Sequence, residues 1–418
     1  MGTISRMCTW IIAGALMTAL LQGCGGKSSS SVAVSTTAPG IFYGNSVVFS
    51  NHSTALTWGN NSYGQLGNDT INSGPAPVTI SLATGLKSAV AGGTHTLALT
   101  NENGGTAWAW GNNGYGQLGD TSTTARMSPV RVVNLTGLTA VAGGGQHSLA
   151  LKSDGTVWSW GYNGSGQLGD STNTNQSAPV QVNSLAGVTA ITAGGSHSVA
   201  LKGDGTVWSW GYNGLGQLGN NGTANSAVPV QVVTDAGNTP LAGVTAIAAG
   251  GSHTVALKGD GTVWSWGYNA LGQLGNNTII SSLLPVPVVM ADGVTPLSNV
   301  TAVAAGLDHT VALKGDGTVW AWGFNGIGQL GNNDAISSTG FRTTPVQVVY
   351  LDANSTAQPL TGIRRIVVIG HHTIAIDGSG AVWTWGDNKY EQLGVPTSST
   401  PLFYSKTAIR VPGVVVKP

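Results

Sequence analysis

Six histidines, His95, His147, His197, His253, His309 and His372, recur at one position of a repeated stretch, most of them just after a glycine turn. Imidazole at neutral pH suits two kinds of chemistry, metal ligation and proton transfer. Both need several such groups at one point. One histidine per repeat spreads them around an array, and no acid or nucleophile recurs beside them in a triad-like order. They are therefore expected to hydrogen-bond adjacent strands or loops. His371, beside His372, stands outside the pattern. The expectation is no catalytic residue, no metal and no cofactor.

Carboxylates recur as well. Lys152-Ser-Asp-Gly, Lys202-Gly-Asp-Gly, Lys258-Gly-Asp-Gly and Lys314-Gly-Asp-Gly place a Lys and an Asp together in each copy. Asp-Gly is hairpin chemistry, and Lys keeps a sheet edge soluble. Asp170-Ser-Thr-Asn-Thr-Asn loosely resembles a calcium loop but lacks the recurring acids such a loop uses.

A third set is aromatic. The residues two and five places after each loop-opening Trp form the pairs Asn60/Tyr63, Asn112/Tyr115, Tyr162/Ser165, Tyr212/Leu215, Tyr268/Leu271, Phe324/Ile327 and Asp387/Tyr390. Each pair holds one aromatic and never two. Tyr63, Tyr115, Tyr162, Tyr212, Tyr268, Phe324 and Tyr390 are thus candidate binding residues on one loop face, since tyrosine offers broad contact area with a polar tip. The competing reading is that each ring fills a niche beneath its own loop.

The elements that position these residues follow from W-G-x-N-x-x-x-Q-L-G, which starts at Trp58, Trp110, Trp160, Trp210, Trp266, Trp322 and Trp385. Residues 187–233 show one unit. Strands are expected at Gly187–Ala193, His197–Leu201, Thr206–Trp210 and Val228–Val233, with an Asp-Gly turn before the third. Four antiparallel strands in each of seven units predict an all-β, seven-bladed propeller. Thirteen of the 14 Trp lie in W-x-W sites, Leu56 replacing one, and supply much of the inter-blade core. Spacers at Thr234–Leu241, Met290–Leu297 and Tyr350–Leu360 are expected to project from the opposite face.

Alignment back from Trp58 puts Asn45 at the histidine position, so the first unit begins near Ala38 without its opening strand. Ala408 to Val416 reads as a fourth strand plus a first strand. Pairing of the N- and C-terminal segments is expected to close the ring.

The units A-G-G-x-H-[ST]-x-A-L, D-G-T-V-W-x-W-G and N-G-x-G-Q-L-G resemble the repeats of the regulator of chromosome condensation family over about residues 38 to 418. The resemblance implies a seven-bladed propeller. It also implies two alternative activities. One is guanine nucleotide exchange like that of the founding members, which serve a nuclear small GTPase and bind chromatin. The other is enzyme inhibition, as in a secreted bacterial branch that includes inhibitors of β-lactamase.

Residues 1–24 form a separate object. Arg6 precedes an apolar stretch from Trp10 to Leu21, too short to span a bilayer, and Leu21-Gln22-Gly23-Cys24 resembles a bacterial lipobox. Cys8 lies within this segment, so Cys24 is the one cysteine left after cleavage and the expected lipidation site. Residues 25–37 read as a Gly/Ser tether, and residues 38–418 as the propeller. By resemblance to Gram-negative lipoproteins, Gly25 rather than Asp after the cysteine implies the outer membrane. The chain carries only 8% charged residues and no net charge, which argues against nucleic acid. The reading is a monomeric, lipid-anchored envelope protein whose loop face binds an unidentified protein or envelope polymer. It touches the membrane only through its anchor and is not an enzyme. Cys24→Ser is expected to abolish fatty-acid labelling and release the protein into the soluble envelope fraction; unchanged labelling and membrane retention would overturn the lipobox.

Overall fold

The computed structural model describes residues 34–35, 45–50, 54–337, 339–395 and 403–416. Cys24 and the lipobox lie outside the described residues. Seven sheets follow one another along the chain; six are antiparallel with four strands in sequence order, and the seventh has four antiparallel strands extended at its outer edge by two more, the first of them joined in parallel. The fourth unit forms strands at Val188–Ala193, His197–Lys202, Val207–Gly211 and Ser226–Gln231, within two residues of expectation at every end. The first strand of one blade lies against those of its neighbours, which makes it the inner strand of a ring. The all-β, seven-bladed propeller is therefore the observed fold.

The second Trp of every W-x-W site is fully buried. Its indole N–H donates to the main-chain carbonyl of the preceding blade's motif glutamine, at 2.8–3.1 Å: Trp110 to Gln65, Trp160 to Gln117, and so on to Trp385 and Gln329. Trp58 closes the circle on Gln392. The glycine that ends the motif makes room for this ring, because a methyl group on Gly119 would stand 2.8 Å from the Trp160 nitrogen.

The histidines lace the same junctions. Each passes its Nε2 to a hydroxyl of the next blade: His95 to Ser148 (2.9 Å), His147 to Ser198 (2.9 Å), His197 to Thr254 (3.0 Å), His253 to Thr310 (2.9 Å), His309 to Thr373 (3.4 Å) and His372 to Ser46 (2.8 Å). Asn45 does the same to Thr96 at 3.3 Å, so the expected replacement is also a functional substitute. Thr96, Ser148, Ser198, Thr254, Thr310 and Ser46 each donate their own hydrogen to the motif glutamine carbonyl. Such a hydroxyl has no proton left for the imidazole, so the network assigns the hydrogen to Nε2 of the partner histidine. The Nδ1 atoms of His95, His147, His197 and His253 are then bare, buried and unpartnered. The glycine before each turn is needed too, since a methyl group on Gly194 would come 2.0 Å from the His197 ring.

The ends meet between blades 7 and 1, but not by the strand exchange expected. The inner strand of blade 1 is Val34–Ser35, paired with Val48 and Val47, from the stretch read as tether. Tyr404–Val415 is the outer strand of blade 7 and pairs with Ala381–Asp387. Its Val411 and Val414, with Val416 just beyond its end, pack in the same core as Val47, Val48 and Trp58 of blade 1. Side-chain packing and the junction hydrogen bonds therefore clasp the ring. The spacer after blade 6 is a hairpin, Val349–Leu351 with Ala357–Pro359, docked in parallel on Ala408 through Tyr350.

Two consequences are measurable. Deleting Ala408 to Pro418 removes three buried valines and leaves Trp58 partly uncovered, a loss on the order of 5 kcal/mol, or about 10 °C in Tm. An undiminished Tm would show that the C-terminal strand is not a clasp. The second is acid sensitivity. Burial holds His95, His147, His197, His253 and His372 at about 3, and His309 well below 6.5. Unfolded imidazoles protonate near 6.5 and folded ones do not, so the unfolded state binds more protons below that pH. Stability is complete above 6.5 and falls as pH drops toward 3, by about 1.4 kcal/mol per pH unit per imidazole, or about 8 for six. Chemical unfolding midpoints are expected to be flat above pH 7 and to collapse between about pH 6 and 4. A midpoint unchanged across that interval would contradict the buried, neutral ring.

Candidate functional site

The loop of W-G-x-N-x-x-x-Q-L-G is built by its own two amides. The Asn side-chain oxygen accepts the leucine N–H five residues on, as from Asn163 to Leu168 at 3.0 Å. Its Nδ2 donates into the second half of the loop, to Asp170, Thr172 and Thr174. The Gln Oε1 accepts the N–H two residues before it, as from Ser165 to Gln167 at 2.9 Å. Five of the motif's constant letters are thus spent on shape. So is the acidic stretch at Asp170, whose carboxylate receives donors from Asn163, Thr172 and Gln176 and is filled by the chain itself.

The Lys/Asp hairpins on the opposite face are structural as well. Asp204 accepts both the N–H and the hydroxyl of Thr206, which holds its carboxyl below the usual range. Lys202 lies over the Trp208 ring at 4.5 Å, with the same arrangement at Lys258 and Trp264.

On the loop face, the N–H two residues after the motif Trp donates to the carbonyl just before each histidine, as in Tyr212 to Ser196 at 2.7 Å. The glycine turns and long loops therefore share this face. The aromatic residues occupy two different places on it. Asn60 and Asn112 cap their loops, accepting the N–H of Ser62 and Gly114, and Tyr63 and Tyr115 in those loops are 46% and 38% exposed. Tyr162, Tyr212 and Phe324 instead fold over the glycine of their own loop. A methyl group on Gly164, Gly214 or Gly326 would meet the ring tip at 2.3, 2.4 and 2.2 Å. They are half-buried, as are Tyr268 and Tyr390. Tyr115 and Tyr162 meet edge to face across a blade boundary, 5.0 Å between centroids.

One sector breaks the repeat. The residue before the histidine is Thr94, Gln146, Ser196 and Ser252 in blades 2 to 5, then Asp308 in blade 6 and His371 in blade 7. Sequence reasoning passed over Asp308, which fills the variable position of A-G-G-x-H, though Leu307 in place of the second glycine marked that turn as different. Main-chain bonds set these turns side by side: Gly251 N–H to Leu307 O at 3.0 Å, and Leu307 N–H to Gly370 O at 2.9 Å. Asp308 is 8% exposed, and burial pushes its carboxyl up to about 7. Burial also lowers His371 to about 4 and, together with the Asp308 charge, raises the Tyr268 phenol. His371 lies 6.0 Å from the Phe324 ring, and its Nδ1 is 3.5 Å from the Gln329 amide. Asp387, which donates its N–H to the His371 carbonyl, also has a carboxyl raised by burial. Among the described residues, no three His, Cys, Asp or Glu side chains converge as a metal site would require.

Comparison with known proteins agrees with this architecture. The RCC1-like domain pattern matches residues 41–238 and 186–416. The chain is 35% identical over 151 residues to the ultraviolet-B receptor UVR8 of Arabidopsis thaliana, covering 36% of this chain and 31% of that protein. It is 34% identical over 156 residues to the mitochondrial RCC1 domain-containing protein RUG3 of the same plant, covering 37% and 31%. The matched region thus spans about a third of these relatives. Among solved structures, human WBSCR16 superposes with a TM-score of 0.69 at 25% identity, covering 85% of this chain and 93% of that one. Yeast RCC1 (Prp20), solved bound to Kap60, gives 0.67 at 23% identity, covering 85% and 83%, a likeness of fold. With seven matching blades and a family pattern spanning nearly all of them, the chain belongs to the RCC1-like domain family.

Proposed function

We propose that this chain is a binding platform of the bacterial cell envelope, held by a lipid on Cys24 at the outer membrane and engaging a partner protein through its loop face. The observation that carries this reading is where the repeat is broken. On the hairpin face, Lys, Asp and Thr recur and are consumed by their own turns. The loop face concentrates the half-exposed aromatics and the unrepeated Asp308 and His371. Binding surfaces draw on such residues, and rigid scaffolds with variable loops are how propellers host them. Family members are seen in complexes, as yeast RCC1 with Kap60, which supports a protein as the partner class. Exchange-factor or inhibitor activity would use the same face and differ only in what is bound.

The test uses stability and capture together. Tyr63 and Tyr115 are exposed, so Tyr63→Ala/Tyr115→Ala is expected to change stability by no more than about 1 kcal/mol. Tyr162→Ala, which uncovers a loop glycine and loses its contact with Tyr115, should cost roughly 1–2 kcal/mol. Both variants should lower recovery of the envelope partner by about tenfold or more, as interface truncations do. Partner recovery equal to that of the parent from both variants would refute the loop face as the binding surface.

A further inference from the structure

Asp308 is a carboxyl group that the fold desolvates without providing a partner. It is 8% exposed, and no hydrogen-bond donor or cation of this chain meets its side chain among the described residues. Blades 4 and 5 carry Ser196 and Ser252 at the same place, so the turn itself does not require an acid. Its surroundings have a definite chemistry. Tyr268 of the preceding blade feels its charge, and Phe324 of its own blade donates its N–H to the Asp308 carbonyl at 2.8 Å. Blade 5 also has Ala270 where Tyr162, Tyr212 and Phe324 have glycine under the ring tip. A methyl group there excludes the Tyr268 ring from the position its counterparts adopt. His371, the next group along the rim, is a neutral imidazole and offers Asp308 no charge.

A desolvated carboxylate beside aromatic faces is half of a recognition site for an organic cation: the acid supplies the opposite charge and the rings supply cation–π attraction. An anion would meet the carboxylate unfavourably, and a purely apolar group would leave it unpaired. We infer that the loop face between blades 5 and 6 receives a cationic side chain of the partner protein, a lysine ammonium or an arginine guanidinium, on Asp308 between Tyr268 and Phe324. The inference deepens the binding-platform reading and rests on it. It assigns the first anchoring contact and the chemistry of the segment that makes it.

The experiment titrates the full-length protein with three acetylated tetrapeptide amides, tetralysine, tetraarginine and tetraglutamate, observed through loop-face resonances and calorimetry. Saturable binding is expected for at least one of the two basic peptides and none for tetraglutamate. Asp308→Ser, which installs the residue of blades 4 and 5, should weaken that binding by roughly tenfold or more with the fold intact. Phe324→Leu should weaken it severalfold. Asp204→Asn, on the hairpin face, should leave it unchanged and excludes general charge attraction. If neither basic peptide binds, or if Asp308→Ser binds as tightly as the parent, the cation site is refuted. Partner capture that still depends on Tyr63 and Tyr115 would in that case leave the platform reading standing. An Asp308→Asn variant serves as the second probe: should Asp308→Ser unfold, equal peptide binding by Asp308→Asn would refute the inference.

Discussion

Everything in this molecule depends on one carbonyl group per blade. The main-chain oxygen of the motif glutamine accepts the buried indole N–H of the next blade, and in six of the seven junctions a hydroxyl of that blade as well. That hydroxyl in turn accepts from a histidine of the preceding blade, or from Asn45 where that blade is blade 1. Both lone pairs of a buried carbonyl are satisfied, and the group that satisfies them is a tryptophan whose burial joins two sheets. No blade can provide this alone, because donor and acceptor always belong to neighbours. The circuit therefore has to close, and it does so between Trp58, Ser46 and Gln392 although those residues lie at opposite ends of the chain.

The same circuit accounts for the sequence. Glycine ends the motif because the next indole occupies the space beside it, and glycine precedes the histidine because the imidazole lies on its backbone. Asn and Gln recur because they fold the loop that presents the glutamine carbonyl. Histidine is the least obvious choice, since Asn45 does the same task in blade 1. A buried neutral imidazole brings acid sensitivity with it, as burial lowers every member of the ring.

Much of this could be read from the chain before any coordinates. The period gave seven blades, W-x-W gave the packing face, and the histidines were placed as ties between elements. The inner strand of blade 1 escaped because Val34–Ser35 is two residues long and precedes no glycine-histidine turn, so nothing in register marks it. The one-aromatic-per-loop pattern was legible, but its cause was not. Asn60, Asn112 and Asp387 cap the loop by a side-chain oxygen, whereas Tyr162, Tyr212 and Phe324 cover it with a ring. Two local solutions to one folding problem thus produce what looked like a single rule. Asp308 was missed for the opposite reason: a search for groups that repeat is blind to the one that does not.

That asymmetry bears on where function resides. In a ring whose repeated polar groups are nearly all consumed by the fold, an uncompensated polar group is conspicuous on energetic grounds. With 8% charged residues, this chain places few acids anywhere, and most of them accept hydrogen bonds from their own turns. Asp308 does not. Its folded carboxyl titrates near 7 against an ordinary value of 3.8, so at neutral pH its ionised form opposes folding by up to about 4 kcal/mol. The serine of blades 4 and 5 carries no such penalty. Strain of this kind sits where a ligand relieves it: a group that pays for its burial only when bound makes the bound state the favoured one. The symmetric majority of the ring builds the scaffold, and blade 6, where it departs from the repeat, holds the charge left for a partner.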